Sequence, residues 1–354
     1  MTMHAFVKYV LIFSLGSGTV LTFLSSHWII SLAGIEISTL AILPLMAQHN
    51  HPRALEAATK YFLIQACATS TLLIATSLNA WMEGQWNILE IKNNISTVLV
   101  ITALSLKLGL APFHFWLPEV MQGLDLTTGL ILSTWQKLAP FALLIQTSYT
   151  SHPELLTLLG LVSAGWAGWA GMNQTQLRKI LAYSSTAHLG WMIIIIQYSP
   201  NFSILALSIY IIMTTAAFFT LKESASTKIS TISLSWSKNP TPMITMTLVL
   251  LSLAGLPPLT GFSPKWMILE EMTKQEMTTA ATLIVMSALI SLFFYTRLCY
   301  FLIITIFPNS TKTKLSWRLM TKKNKITMST FTATALTLLP VTPMILSTTY
   351  LYGF

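Results

Sequence analysis

Leu106-Lys107-Leu108-Gly109-Leu110-Ala111-Pro112-Phe113-His114-Phe115-Trp116 lies in a long apolar run, yet it carries a lysine, a glycine and a proline close together. Proline removes a backbone donor and clashes with the preceding turn, so a helix entering this stretch is predicted to be interrupted at mid-membrane, at Gly109 and Pro112. Freed backbone groups are tolerated at that depth only where they are buried in protein or line a wet cavity. A second stretch, Ala254-Gly255-Leu256-Pro257-Pro258-Leu259-Thr260-Gly261-Phe262-Ser263-Pro264-Lys265-Trp266, has the same character, with its break at Pro257 and Pro258.

Working outward, apolar runs predict spans at 4–24, 26–47, 57–80, 96–118, 126–147, 153–171, 178–198, 201–221, 242–270, 278–306 and 328–350. Each is near the roughly 20 residues that a bilayer requires. The runs are continuous and lack period-2 alternation, which excludes strands. Composition agrees: of 354 residues 53% are hydrophobic and 9% charged, with a mean hydropathy of +0.66. Soluble domains carry roughly 25% charged residues, so a soluble two-domain enzyme is excluded, and a disordered chain would be far more polar. The fold class is an all-α polytopic membrane protein of about eleven transmembrane helices.

The broken spans are the fourth of spans one to five and the fourth of spans six to ten. Five is odd, so a second copy of a five-span unit would sit inverted in the membrane. Inverted repeats with interrupted helices in matching places are the architecture of ion-coupled transporters. The expected organisation is one membrane domain, 1–354, with a first five-helix repeat at 1–147 and an inverted second repeat at 148–306. A basic loop and a last helix follow at 307–354.

Charge sets the orientation. Lys and Arg number 20 against 11 Asp and Glu, a net +9. The N-terminus and the loops after even-numbered spans hold fourteen of the cations, Lys312 to Lys325 among them, against Lys92 and Lys274 on the other face. By the positive-inside rule the N-terminus faces cytoplasm or matrix and the C-terminus faces outside. The basic excess is thus orientation charge, and nucleic acid is not an expected partner. Residues 1–24 read as a first span, because no small-residue cleavage site or Arg/Ser-rich transit segment is present. That favours an organelle-encoded or bacterial origin.

Four ionisable residues fall near the bilayer centre: Glu36, Lys107, Lys137 and Lys265. A charge there costs about 2.5–3.5 kcal/mol on insertion scales. A lysine out of water takes or releases a proton as a charged neighbour arrives or leaves, so the set suits proton relay. Glu36 and Lys107 are natural partners, while Lys137 and Lys265 have no acid in their own spans. The structural alternative is a set of locked ion pairs, which three lysines and one acid cannot balance. His114 and His188 are further relay candidates, able to bridge waters, or else simply bond to a neighbouring helix. Arg297, the remaining intramembrane cation, is expected to snorkel or to pair locally. No GxGxxG, Walker A or cysteine cluster occurs, so nucleotide, flavin, iron–sulfur and metal sites have no basis here. Cys67 and Cys299 read as packing residues.

At these residues the chain resembles the NADH dehydrogenase subunit 2 family, the mitochondrially encoded antiporter-like subunits of respiratory complex I (NADH:ubiquinone oxidoreductase). The matching stretches run in order: Ser26-His27-Trp28 to Glu36, Pro52-Arg53-Ala54 to Thr59-Lys60-Tyr61-Phe62, and Lys107 to Trp116. Thr134-Trp135-Gln136-Lys137-Leu138-Ala139-Pro140, Gln174 to His188, and Gly255-Leu256-Pro257-Pro258 to Lys265-Trp266 follow. The resemblance implies eleven spans, a matrix N-terminus and an intermembrane-space C-terminus in the mitochondrial inner membrane. It makes Glu36 the modulating glutamate, Lys107 its partner, Lys137 the central lysine and Lys265 the lysine of the second broken helix. It implies no cofactor in this chain; NADH, FMN, iron–sulfur clusters and ubiquinone belong to other subunits. The expected partners are NADH dehydrogenase subunits 4L and 4, accessory subunits and lipids such as cardiolipin. A free-standing cation/proton antiporter and a non-transporting scaffold are the competing readings; the first needs a second intramembrane acid, and only Glu36 is present.

Overall fold

The structure, a computed structural model, describes residues 5–48, 51–149, 152–235, 240–304 and 326–351. The basic loop expected before the last span, at 307–325, lies outside these residues, as do Lys238, His4 and His49. Among the described residues all regular structure is helical, apart from two isolated bridges, His27 to Asn87 and Gln176 to Lys228. Seven helices are long and apolar enough to cross a membrane, and a bent C-terminal pair makes up to eight. The protein is a multi-pass membrane protein.

The chain divides into two compact units, Met1–Val162 and Ser163–Phe354. In the first, α1 (Ala5–Leu24), α2 (Trp28–Met46) and α3 (Pro52–Glu83) pack in succession. α1 and α2 meet backbone to backbone: a Cβ on Gly18 would stand 2.6 Å from the Gly34 carbonyl oxygen. α3 starts at Pro52, where proline's missing donor costs nothing, and the His51 Nδ1 accepts the Arg53 backbone N–H. α3 then lies against α4 (Asn94–Leu108) and α5 (Trp116–Gly123), while α6 (Leu126–Ser148) closes on α4, α1 and α2.

α7 (Pro153–Met172) leads into the second unit. α9 (Pro200–Ser224) is its hub, touching α8 (Leu177–Ile195), α11 (Pro240–Ala254), α12 (Phe262–Lys274) and α14 (Ile326–Thr337). α13 (Thr278–Ile304) packs on α11, α12 and the short α10 (Ile229–Ser235). α15 (Thr342–Leu351) ends the described chain. The last span, expected as one run over 328–350, is bent by 62° around Leu339–Val341. Pro340 and Pro343 account for the bend, since neither can donate to the helix before it.

Candidate functional site: two broken helices and their lysines

Both predicted breaks are present, and they have a common form. α4 is 15 residues long and stops at Gly109; α11 is 15 residues long and stops at Gly255. Gly109 (φ +75°) and Gly255 (φ +83°) are left-handed, a conformation that glycine adopts without a Cβ penalty. The next residue folds its N–H back five positions in each case, Leu110 to the Ser105 carbonyl (3.0 Å) and Leu256 to the Leu251 carbonyl (3.4 Å). A proline follows within three residues of each glycine, Pro112 and Pro257, and forbids resumption of the helix. Residues 109–115 and 255–261 then turn before α5 and α12 begin.

Lys107 lies in the last turn of α4 and is 5% exposed; its Nζ makes no hydrogen bond. Lys137, on α6, is 3% exposed. The two line one cavity of about 10 Å³, room for about one water, with Ser38 of α2, Tyr61 and Gln65 of α3, and Gln136 of α6. Pro140 also borders it and cannot donate to the Gln136 carbonyl, leaving an acceptor free of the helix ladder. Gln136 Nε2 donates to the Ser38 carbonyl (3.0 Å), which ties α6 to α2 beside the cavity.

Glu36 lies on α2 two residues before Ser38, on nearly the opposite side of the helix, and its side chain is exposed on its own unit. It is within electrostatic reach of Lys107, but the two form no ion pair within 4 Å. The expected Glu36–Lys107 partnership is therefore a long-range one in this structure. His114, 1% exposed, lies in the turn after Pro112, its ring against that of Phe115 (4.4 Å between centroids).

The second unit holds Lys265 in the first turn of α12. Its Nζ donates to the Ala254 carbonyl at 2.8 Å, capping the end of α11, and stands 5.8 Å from the Trp191 ring centroid, a cation–π contact. Thr260, in the same turn, donates to the Ala335 carbonyl of α14 (2.6 Å). His188, on α8, faces the buried Tyr210 ring at 5.5 Å. Arg297 Nη1 donates to the Met172 carbonyl (2.6 Å) and caps α7, so it pairs locally. Of the cysteines, Cys299 is buried and Cys67 is exposed on α3, so only the first packs inside the chain.

Sequence reasoning missed Tyr61, Gln65 and Trp116. Trp116 Nε1 donates to the Leu106 carbonyl (3.1 Å), so the first residue of α5 caps the last turn of α4. Tyr61 and Gln65 had a signal: with the buried Thr69, Thr76 and Asn79 they form a polar stripe down one face of α3.

A fold of packed spans, two of them broken and carrying lysines, defines an antiporter-type membrane subunit. The family model described as NADH:quinone oxidoreductase/Mrp antiporter, TM matches residues 25–291, and that described as NADH dehydrogenase subunit 2 C-terminus matches 292–346. Similar folds occur in respiratory complex I from Thermus thermophilus (TM-score 0.78, 24% identity, 96% of this chain and 81% of that one). A membrane-bound sulfane sulfur reductase, an archaeal respiratory complex, is also alike (TM-score 0.85, 16%, 98% and 75%). NADH-ubiquinone oxidoreductase chain 2 of Carassius auratus is 59% identical over 98% of this chain and 100% of its own length. That of Latimeria chalumnae is 53% identical over 96% and 98%. The chain belongs to the NADH-ubiquinone oxidoreductase chain 2 family.

Proposed function

We propose that this chain is an antiporter-like, proton-translocating core subunit of mitochondrial NADH:ubiquinone oxidoreductase. Protons are relayed along a mid-membrane line of Glu36, Lys107, Lys137 and Lys265, with His114 and His188 beside it, and quinone reduction elsewhere in the complex drives them. The chain contributes no redox centre; NADH, FMN, iron–sulfur clusters and ubiquinone are bound by other subunits. It lies in the inner membrane with its N-terminus in the matrix, next to subunits 4L and 4. The repeat at 1–147 and 148–306 belongs to this proposal, supported by two 15-residue half-helices that end in like turns.

The observation that carries the reading is the cavity shared by Lys107 and Lys137. Two ammonium groups at bilayer depth are expensive. Here Lys107, buried and without a hydrogen bond, opens on room for a water that borders Lys137. Proton transfer needs that arrangement, a titrating group within one water of the next. In the assembled complex, Lys107→Ala and Lys137→Ala are expected to lower proton-pumping NADH oxidation and to spare NADH-to-ferricyanide electron transfer. Full coupled turnover in both variants would refute the relay.

A further inference from the structure

A groove of about 740 Å³ opens on the flank of the first unit, between the broken helix and the start of α7. Its floor is mostly apolar: Pro112 and Phe113 from the turn after α4, Leu158 and Leu159 from α7, with Thr102 of α4 beside them. Its rim is not. His152 and Glu154, both exposed, stand where α7 begins, and Glu154 makes no ion pair among the described residues. The volume is that of a small-molecule site.

The groove's polarity runs along the membrane normal. α7 is a membrane-crossing helix that begins at Pro153, so His152 and Glu154 lie at the membrane–water boundary. Leu158 follows four residues after Glu154, about 6 Å deeper at the rise of an α-helix. Phe113 belongs to the turn of the broken span, deeper still in the expected mid-membrane zone. A polar mouth at the interface above an apolar floor at bilayer depth is the profile of one phospholipid standing upright.

The rim then selects a headgroup. A carboxylate accepts charge-assisted hydrogen bonds from a primary ammonium, which has N–H groups to donate. A choline head is equally positive but has no N–H. A two-phosphate head such as that of cardiolipin brings two negative charges to Glu154 and is disfavoured. His152 supplies a ring N–H for the single phosphate. We propose that this groove binds a phospholipid with a primary-ammonium headgroup, its ammonium at Glu154, its phosphate at His152 and a chain over Leu158 and Phe113. The lipid would thereby form the outer wall of the first break.

The assembled complex, in its native membrane, can be labelled with phospholipids carrying a photoreactive group on the acyl chain, in ethanolamine, choline and cardiolipin forms. Cross-links are mapped by peptide mass spectrometry. The ethanolamine probe is expected to label Phe113 or Leu158 about threefold more than the other two, the scale of a partly exposed ion pair. Glu154→Gln should equalise the three probes, and Leu158→Trp, which fills the groove, should remove the labelling. Equal labelling by all three probes in the unmodified chain would overturn the headgroup assignment. Labelling no stronger than at the exposed Phe13 of α1, or a cross-link from this groove to another polypeptide, would overturn the lipid site itself. None of these readouts depends on proton transfer, so they stand or fall apart from the relay.

Discussion

The break after α4 and the break after α11 start alike and finish differently. Each opens with a left-handed glycine and a leucine whose N–H reaches back into the helix just ended. Then the donors diverge. In the first break an indole, Trp116, joins the Gly109 N–H (3.3 Å) on the Leu106 carbonyl, and the nearby Lys107 ammonium is left to the cavity. In the second an ammonium does the capping: Lys265 holds Ala254. The sixth residue after each glycine differs as well. It is Phe115 in the first, 60% exposed, and Gly261 in the second, packed on the Ser252 carbonyl. One turn thus leaves its lysine to the cavity, and the other sets its lysine on the carbonyl that ends its helix.

The largest effect should come from testing that packing. Gly261→Ala would drive a Cβ into the Ser252 carbonyl oxygen, backbone against backbone with nowhere to yield. It is expected to cost about 3 kcal/mol or more and to deplete the assembled complex on a native gel. Phe115→Ala, at the matching place, should stay within about 0.5 kcal/mol. Comparable losses in both would dissolve the contrast.

Next comes the division between the lysines. Lys265→Met leaves the Ala254 carbonyl without its Lys265 donor, and the melting of the complex should fall by the equivalent of about 1–3 kcal/mol. Lys107→Met removes a buried ammonium that makes no hydrogen bond, so melting should hold or rise while coupled pumping falls. If Lys107→Met melts as low as Lys265→Met, Lys107 is holding structure too. A smaller loss, about 1 kcal/mol, is expected of Trp116→Phe, which keeps the ring and deletes the donor to Leu106. An unchanged melt would show that the Gly109 N–H, 3.3 Å from the same carbonyl, satisfies it without the indole.

The smallest effect is assigned to Lys60. It joins Glu56 (2.7 Å) to Glu119 of α5 (2.9 Å), but the side chains are substantially exposed. Lys60→Met should leave both melting and coupling near their original values, because exposed pairs of this kind add little. A pumping defect would mean that α5, and with it Trp116, is positioned electrostatically from α3.

What could be read in advance follows from the range of each signal. Gly109, Pro112, Gly255 and Pro257 act on their own backbone, so both breaks were legible from a few adjacent residues. The place of Glu36 within α2 was legible for the same reason, since position is counted along one helix. Its facing was not: α2 is apolar nearly all round, with no stripe to separate inside from outside. The links from Trp116 to Leu106 and from Lys265 to Ala254 join residues 10 and 11 positions apart across a turn whose path no local rule supplies. Gln65 needed neighbours from four other helices before it became part of a cavity. The bend at Pro340 had its signal in plain view, yet two prolines in a run of otherwise sufficient length read as one span.

A helix that stops halfway has an end where a continuous one has none. The aligned peptide units of α4 and α11 leave each half-helix with a negative pole of roughly half a charge at its C-terminus. Lys107 is borne on the last turn of one such pole, and the Lys265 ammonium reaches the other. A chain with only 11 acidic residues can thus bury cations without a carboxylate beside each one. The counter-charge comes from the backbone, which cannot be titrated away.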